Sequence, residues 1–211
     1  MARALELVGE RWTLLIVRDL LLGPRRFTDL VDSLEKITPT RLTSRLRQLE
    51  ATGLVTRERA ATGREVWYRL TDAGQALQPA IEALILWGLQ FALERPRPGE
   101  GVHAASAMIG TKVWLNAHPK PRATSLVWVW RLQGEGAYSL RFENGAWELE
   151  PEELSPAEVV VETSAGHWAA FLTSESRELP GPELTLIGRR PARETFARVF
   201  DAELAKNGGN R

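Results

Sequence analysis

Thr40, Arg41, Thr43, Ser44 and Arg47 crowd one short stretch, "TPTRLTSRLRQLEATG", which holds no acid before Glu50. Hydroxyls both donate and accept hydrogen bonds, and guanidinium groups form forked bonds to phosphate or to the edge of a guanine. Arg57, Arg59 and Arg64 follow closely. Between Lys36 and Arg69 the bases are Lys36, Arg41, Arg45, Arg47, Arg57, Arg59, Arg64 and Arg69, against only Glu50, Glu58 and Glu65. The whole chain of 211 residues is neutral, with 27 basic and 27 acidic side chains. A local positive stripe on a neutral chain is the footprint of a compact anion-binding surface. The competing reading is a solvated helix face.

Other chemistry is poorly supplied. The chain has no cysteine, which removes disulfides, thiolate catalysis, thiol redox sensing and cysteine-bound zinc. His103, His118 and His167 are scattered, without partners at metal-ligand spacing. There is no P-loop, no G-x-S-x-G and no H-E-x-x-H. Gly99-Glu-Gly101 and Gly134-Glu-Gly136 lack the strand-to-helix setting of a nucleotide fingerprint, and Glu152-Glu153 reads as solvated charge. No enzymatic activity, cofactor or metal is expected. The apolar run "TLLIVRDLLLG" is broken by Arg18 and Asp19 and lacks a cleavage site. "AIEALILWGLQFAL" is shorter than the ~20 apolar residues a bilayer span needs. A soluble, cytoplasmic protein without a membrane partner is expected.

The elements that would position the basic residues follow from spacing. Leu5, Val8, Trp12, Leu15, Ile16 and Leu22 fit a helix over Ala4–Leu22, stopped by Gly23-Pro24. Phe27, Leu30, Val31 and Leu34 give a second, short helix. In the third, Thr38 caps, Pro39 suits the first turn and Gly53 ends it in a left-handed conformation. Leu42, Leu46 and Leu49 fall within about 60° on the helical wheel and form the buried stripe, opposite Thr40, Thr43, Ser44 and Arg47. "LVTRERA" and "EVWYRLT" flank Thr62-Gly63 as strand, turn and strand. Thr71 then caps a long helix from Asp72 to Glu94, with Leu77, Ile81, Leu84, Ile85 and Gly88 along one side. This is the order of a winged helix-turn-helix, whose third helix enters the major groove of DNA.

The proline- and glycine-rich "RPRPGEG" (Arg95 to Gly101) reads as a linker. The expected domains are therefore 1–95, a linker at 96–102, and 103–211. The second half reads as α+β, a mostly antiparallel sheet with helices on one side. A helix over Ala104–Leu115 precedes "TSLVWVWRL", a strand apolar on both faces and so expected centrally, covered on both sides. "AYSLRFE" and "AWELEP" form a hairpin about Asn144-Gly145. Strand "AEVVVET", helix "AGHWAAFLT", strand "ELTLIGR" and a helix over Ala192–Leu204 complete it.

Residues 4 to 91 resemble the HxlR-type bacterial winged-helix transcription regulators, through "ALELVGERWTLLIVRDLLLGPRRFTDL", "ITPTRLTSRLRQLEATGLV" and "YRLTDAGQALQPAIEALILWG". The resemblance implies a homodimer, paired through the first and last helices of the domain, on an inverted-repeat operator in double-stranded DNA. By it, Pro39, Thr40, Arg41, Thr43, Ser44 and Arg47 fall on the recognition helix, and Arg57, Arg59 and Arg64 on the wing. Many members carry an amino-terminal arm, often with a cysteine. Here the chain begins almost at the helix without one, so no thiol switch is expected.

Residues 104 to 204 are similar to the sterol carrier protein type two fold, on "YSLRFENGAWELEPEELSPAEVVVETSAGHWAAFLT" and "LTLIGRRPARETFARVF". The glycine usual after the middle helix is replaced by "LTSESRELPG". Five of the eight tryptophans lie in this half. They suit a packed core, or an apolar pocket in which Trp128, Trp130, Trp168 and Phe171 line the wall around a lipid or other apolar small molecule. The function expected is a dimeric DNA-binding regulator modulated by such a ligand. The rival is a lipid or small-molecule carrier or sensor whose winged helix docks a protein.

Overall fold

The computed structural model describes residues 2–34, 36–59, 65–91, 101–174, 177–179 and 183–204. The chain divides into two compact units, Met1–Leu84 and Ile85–Arg211. The division falls inside a helix, whereas sequence places a linker after it. Of that linker, only Gly101 and Val102 are among the described residues.

The first unit runs α1 (Ala2–Val8), α2 (Arg11–Leu20), β1 (Arg25–Arg26), α3 (Phe27–Ser33), α4 (Pro39–Ala51), β2 (Val55–Arg59), β3 (Val66–Leu70), α5 (Asp72–Gln75) and the start of α6 (Gln78–Phe91). The expected single first helix is two. At the break Glu10 is extended, and its carboxylate accepts the Trp12 amide at 2.8 Å, capping α2. The expected Asp72–Glu94 helix is also two, α5 and α6, with Thr71 capping α5 through the Gly74 amide at 3.2 Å. Gly74 is obligatory, since a Cβ there would collide with the Leu54 carbonyl oxygen. In α6, Ile81 is buried but Leu84 is exposed, contrary to the stripe drawn from spacing. This helix is apolar around most of its circumference, so periodicity alone does not fix its buried side.

Trp12, Ile16, Val17 and Leu20 of α2 meet Leu30 of α3 and Leu42, Leu46 and Leu49 of α4 in the core. The sheet order is β1-β3-β2, antiparallel throughout. Asp19 is buried between Arg18, which donates at 2.8 Å, and the Ser33 hydroxyl at 2.6 Å, which ties α2 to α3. Among the described residues, no helix is long and apolar enough to cross a membrane.

The second unit contains α7 (Ala104–Ala117), β4 (Ser125–Leu132), β5 (Gly136–Glu143), β6 (Ala146–Glu150), β7 (Val159–Thr163), α8 (Ala165–Leu172), β8 (Glu178–Leu179), β9 (Leu184–Gly188), α9 (Arg190–Val199) and β10 (Glu203–Leu204). Five strands pair in the order β6-β5-β4-β7-β9, antiparallel except for the parallel β4–β7 contact. β4 is central, as expected. Trp128, Trp130 and Leu132 meet α7, α8 and α9 on one face. On the other face only the centre is sealed: Ser139 donates to the Glu152 carbonyl at 2.7 Å and accepts the Leu154 amide at 2.8 Å. Toward one end Arg131 is exposed between Glu153 and Glu162, so the expectation of cover on both sides holds only in part. The last helix stops at Val199, short of the expected Leu204. Asp201 turns into the left-handed region, and Leu204 pairs in β10 with Leu179.

Buried polar groups are answered across elements. The Trp168 indole donates to the Thr111 hydroxyl at 2.7 Å, and that hydroxyl donates to the Ala107 carbonyl at 2.8 Å. Thr111→Val keeps the shape but orphans a buried indole N–H. It should cost about 1–3 kcal/mol in chemical denaturation, and a neutral result would show that the indole had found another acceptor.

Candidate nucleic-acid interface

Three buried leucines fix α4, so its opposite face is turned outward. Thr38 accepts the Arg41 amide at 3.3 Å, Pro39 sits in the first turn, and Gly53 (φ +72°) ends the helix as expected. No acid stands in the first turn, which leaves the positive end of the helix dipole free to meet a phosphate. Pro39, Thr40, Arg41, Ser44 and Arg47 are exposed. Thr43 is half-buried, and its hydroxyl is spent on the Pro39 carbonyl at 2.8 Å. What it presents outward is therefore its methyl and its oxygen lone pairs.

Arg57 and Arg59 are exposed on β2, while Arg64 lies outside the described residues. Tyr68 on β3 stands opposite Arg57 in register. Burial pushes its phenol above the ordinary value, helped by Glu50, while Arg57 and Arg47 pull the other way. Arginines of β2 and α4 thus both bias the ionisation of one tyrosine.

The raw charge count overstates the stripe. Arg45 pairs with Glu10 at 3.3 Å, and Arg69 with Glu58 at 3.6 Å. Arg41, Arg47, Arg57 and Arg59 have no carboxylate within ion-pair distance among the described residues. With Lys36, these are the available cations of the stripe among the described residues. Sequence reasoning missed Tyr68, although the alternation Val66, Tyr68, Leu70 places it on the inward face of β3. It also missed Arg25, which the two-residue β1 sets opposite Tyr68.

The four aromatic residues expected to line a pocket come together, but as packed core. Trp130 and Trp168 meet edge to face at 5.2 Å, Trp168 and Phe171 stack at 4.9 Å, and Trp128 lies 4.7 Å from Phe196. All three tryptophans are fully buried, so a ligand touching them would have to displace packed rings. The histidines have local roles: His118 stacks on Trp114 at 3.8 Å, His167 meets the Ser164 hydroxyl at 2.8 Å, and His103 precedes α7. Among the described residues, no three His, Asp or Glu side chains gather as metal ligands would.

Helices α2, α3 and α4 with the β1-β3-β2 sheet make the first unit a winged helix-turn-helix. A family profile described as HxlR-like helix-turn-helix matches residues 7–95. An uncharacterized HTH-type transcriptional regulator of Mycobacterium tuberculosis is 50% identical over 97 residues, which is 46% of this chain and 59% of that protein. The HTH-type transcriptional regulator YodB of Bacillus subtilis is 35% identical over 103 residues, covering 48% of this chain and 88% of YodB. The solved structure of reduced YodB superposes with a TM-score of 0.40 at 35% identity, over 44% of this chain and 91% of that one. The chain belongs to the HxlR-like helix-turn-helix family.

Proposed function

We propose that the protein is a cytoplasmic transcription regulator that binds an inverted-repeat operator in double-stranded DNA as a homodimer. The observation that carries this reading is the exposed face of α4, with Arg41 and Arg47 on it and Arg57 and Arg59 on β2, none of them in an ion pair among the described residues. Arg41, Arg57 and Arg59, with Arg64, set affinity through phosphate contacts. Thr40, Thr43, Ser44 and Arg47 select sequence from the groove. Dimerisation is supported by apolar side chains left in solvent: Leu5 and Leu7 on α1, and Leu84 (53% exposed), Trp87 (58%) and Phe91 (71%) on α6. A two-fold dimer places its recognition helices one helical turn of DNA apart. In this reading residues 1–95 bind DNA and dimerise, and 103–211 form the second domain.

For the second domain the proposal is a sterol-carrier-like module that takes an apolar small molecule. Its element order, with three helices on one face of a mixed sheet, supports this. The Trp130 and Trp147 indole N–H groups are buried in its core without partners among the described residues. Orphaned donors of that kind cost about 1–3 kcal/mol each unless something answers them. Such a ligand changes DNA affinity only by binding the DNA-competent dimer differently from the incompetent one.

Fluorescence anisotropy with a duplex from the gene's upstream region and a scrambled control, at two salt concentrations, tests the DNA reading. Preference for the native duplex, weakening with salt, is expected. Equal weak binding to both, repeated with further promoters, would favour a carrier whose winged helix docks a protein. Arg59→Ala should weaken all sequences alike and reduce the salt slope by about one unit. An unchanged slope would remove the wing from the footprint.

A further inference from the structure

We infer that the second unit carries a binding site for a small organic carboxylate, in the cleft between the α7–β4 loop and α9. The cleft has a volume of about 370 Å³, within the range that holds a small molecule. None of the four aromatic residues considered as pocket lining borders it. Its apolar walls are Pro119 and Pro121 on one side and Val199 on the other. Proline rings and a valine present flat, rigid hydrocarbon at little entropic cost on binding.

The polar rim has one sign. Arg122 comes from the loop and Arg198 from α9, neither of them buried, and among the described residues no acid lines the cleft. Neither guanidinium has a carboxylate within ion-pair distance among the described residues. That is unlike Arg131, Arg141 and Arg190, which each face a glutamate in this unit. Two forked donors lining one cleft with apolar walls match a carboxylate on an apolar body.

Lys120 holds the loop. Its ammonium donates to the Leu115 carbonyl at 3.1 Å, the Asn116 carbonyl at 2.9 Å and the Asn116 side-chain oxygen at 3.0 Å. Those three bonds use all its donors, so Lys120 positions the loop and adds positive potential but does not grip the ligand. Asn116 is in turn clamped to β6 by two bonds to the Trp147 backbone, at 2.9 and 3.0 Å. The Arg122 side of the cleft is therefore anchored to the sheet, and Arg198 to a helix whose Phe196 and Ala197 are core. A site on rigid elements loses little freedom when it fills.

The test is calorimetric titration of the full chain with 2-naphthoate, its neutral amide and inorganic phosphate. It needs no DNA, so its failure is separate from failure of the regulator reading. Naphthoate is expected to bind one equivalent, at least about tenfold more tightly than the amide. Arg122→Gln and Arg198→Gln should each weaken it by about tenfold with unchanged circular dichroism, while Arg189→Gln, outside the lining, should not. Equal affinity for acid and amide, or indifference to both cleft substitutions, would overturn the site. Phosphate binding as tight as naphthoate would overturn the assignment of an organic ligand.

Discussion

Trp128→Ala is expected to cost the second unit about 3–5 kcal/mol, a large part of what typically holds a domain together. The indole is fully buried on the central strand, with β5 and β7 hydrogen-bonded on either side. It packs 4.5 Å from Trp147 and 4.7 Å from Phe196. Neither neighbour can swing in without leaving its own partners, since Phe196 also contacts Phe200 at 4.7 Å and Trp147 contacts Phe142 at 5.1 Å. The loss therefore includes a cavity as well as lost burial. Urea unfolding followed by far-ultraviolet circular dichroism measures it, and Trp128→Phe, which keeps a ring against Phe196, should lose clearly less. A cost below about 1 kcal/mol would mean that the ring borders space it does not fill. That result would restore Trp128 to the wall of an apolar pocket.

Features of this fold are legible in the sequence where their signals are local. Helix α4 was legible because Thr38, Pro39 and Gly53 mark both ends and three leucines mark its inner face. The Asn144-Gly145 hairpin was legible for the same reason: both residues adopt the positive φ such a turn needs. The break between α1 and α2 is hidden in the sequence because apolar spacing runs through Gly9-Glu10, and it shows only in the cap that Glu10 makes. The α5–α6 break did leave a signal, Pro79 in the first turn of α6, which a period running through Leu77 and Ile81 masked. Strands of two residues, β1, β8 and β10, leave no period to read.

Pairing was the larger blind spot. Arg45 counted as a free cation until the fold brought Glu10 to it from far upstream. Counting charges along a chain measures supply, not availability. The tryptophans show the same limit: an aromatic run looks alike whether it fills a core or lines a pocket, and only ring-to-ring distances separate the two. Exposure of one face of α4 was legible, because it follows from the buried stripe opposite. Tyr68 was not, because its place opposite Arg57 depends on the pairing of β2 with β3.

That tyrosine makes the second large prediction a matter of coupling. Arg47→Ala should weaken the preferred operator by about 1–3 kcal/mol and relax discrimination if Arg47 reads a base. An equal loss on scrambled DNA would demote it to a phosphate contact. Arg57→Ala should weaken every sequence and flatten the salt dependence. Sites without shared neighbours give additive losses, but Arg57 stands opposite Tyr68 in register, and Arg47 on α4 also lowers the tendency of burial to raise that phenol's pKa. The double substitution should therefore differ from the sum by about 0.5–3 kcal/mol, and Tyr68→Phe should shrink that difference. Anisotropy titrations of the four cycle members, first with Tyr68 intact and then with Tyr68→Phe added to each, decide it. Strict additivity in both sets would mean that helix and wing grip DNA independently and that Tyr68 is core alone. Coupling that Tyr68→Phe abolishes would make the phenol the part that sets the wing's position relative to the reading helix.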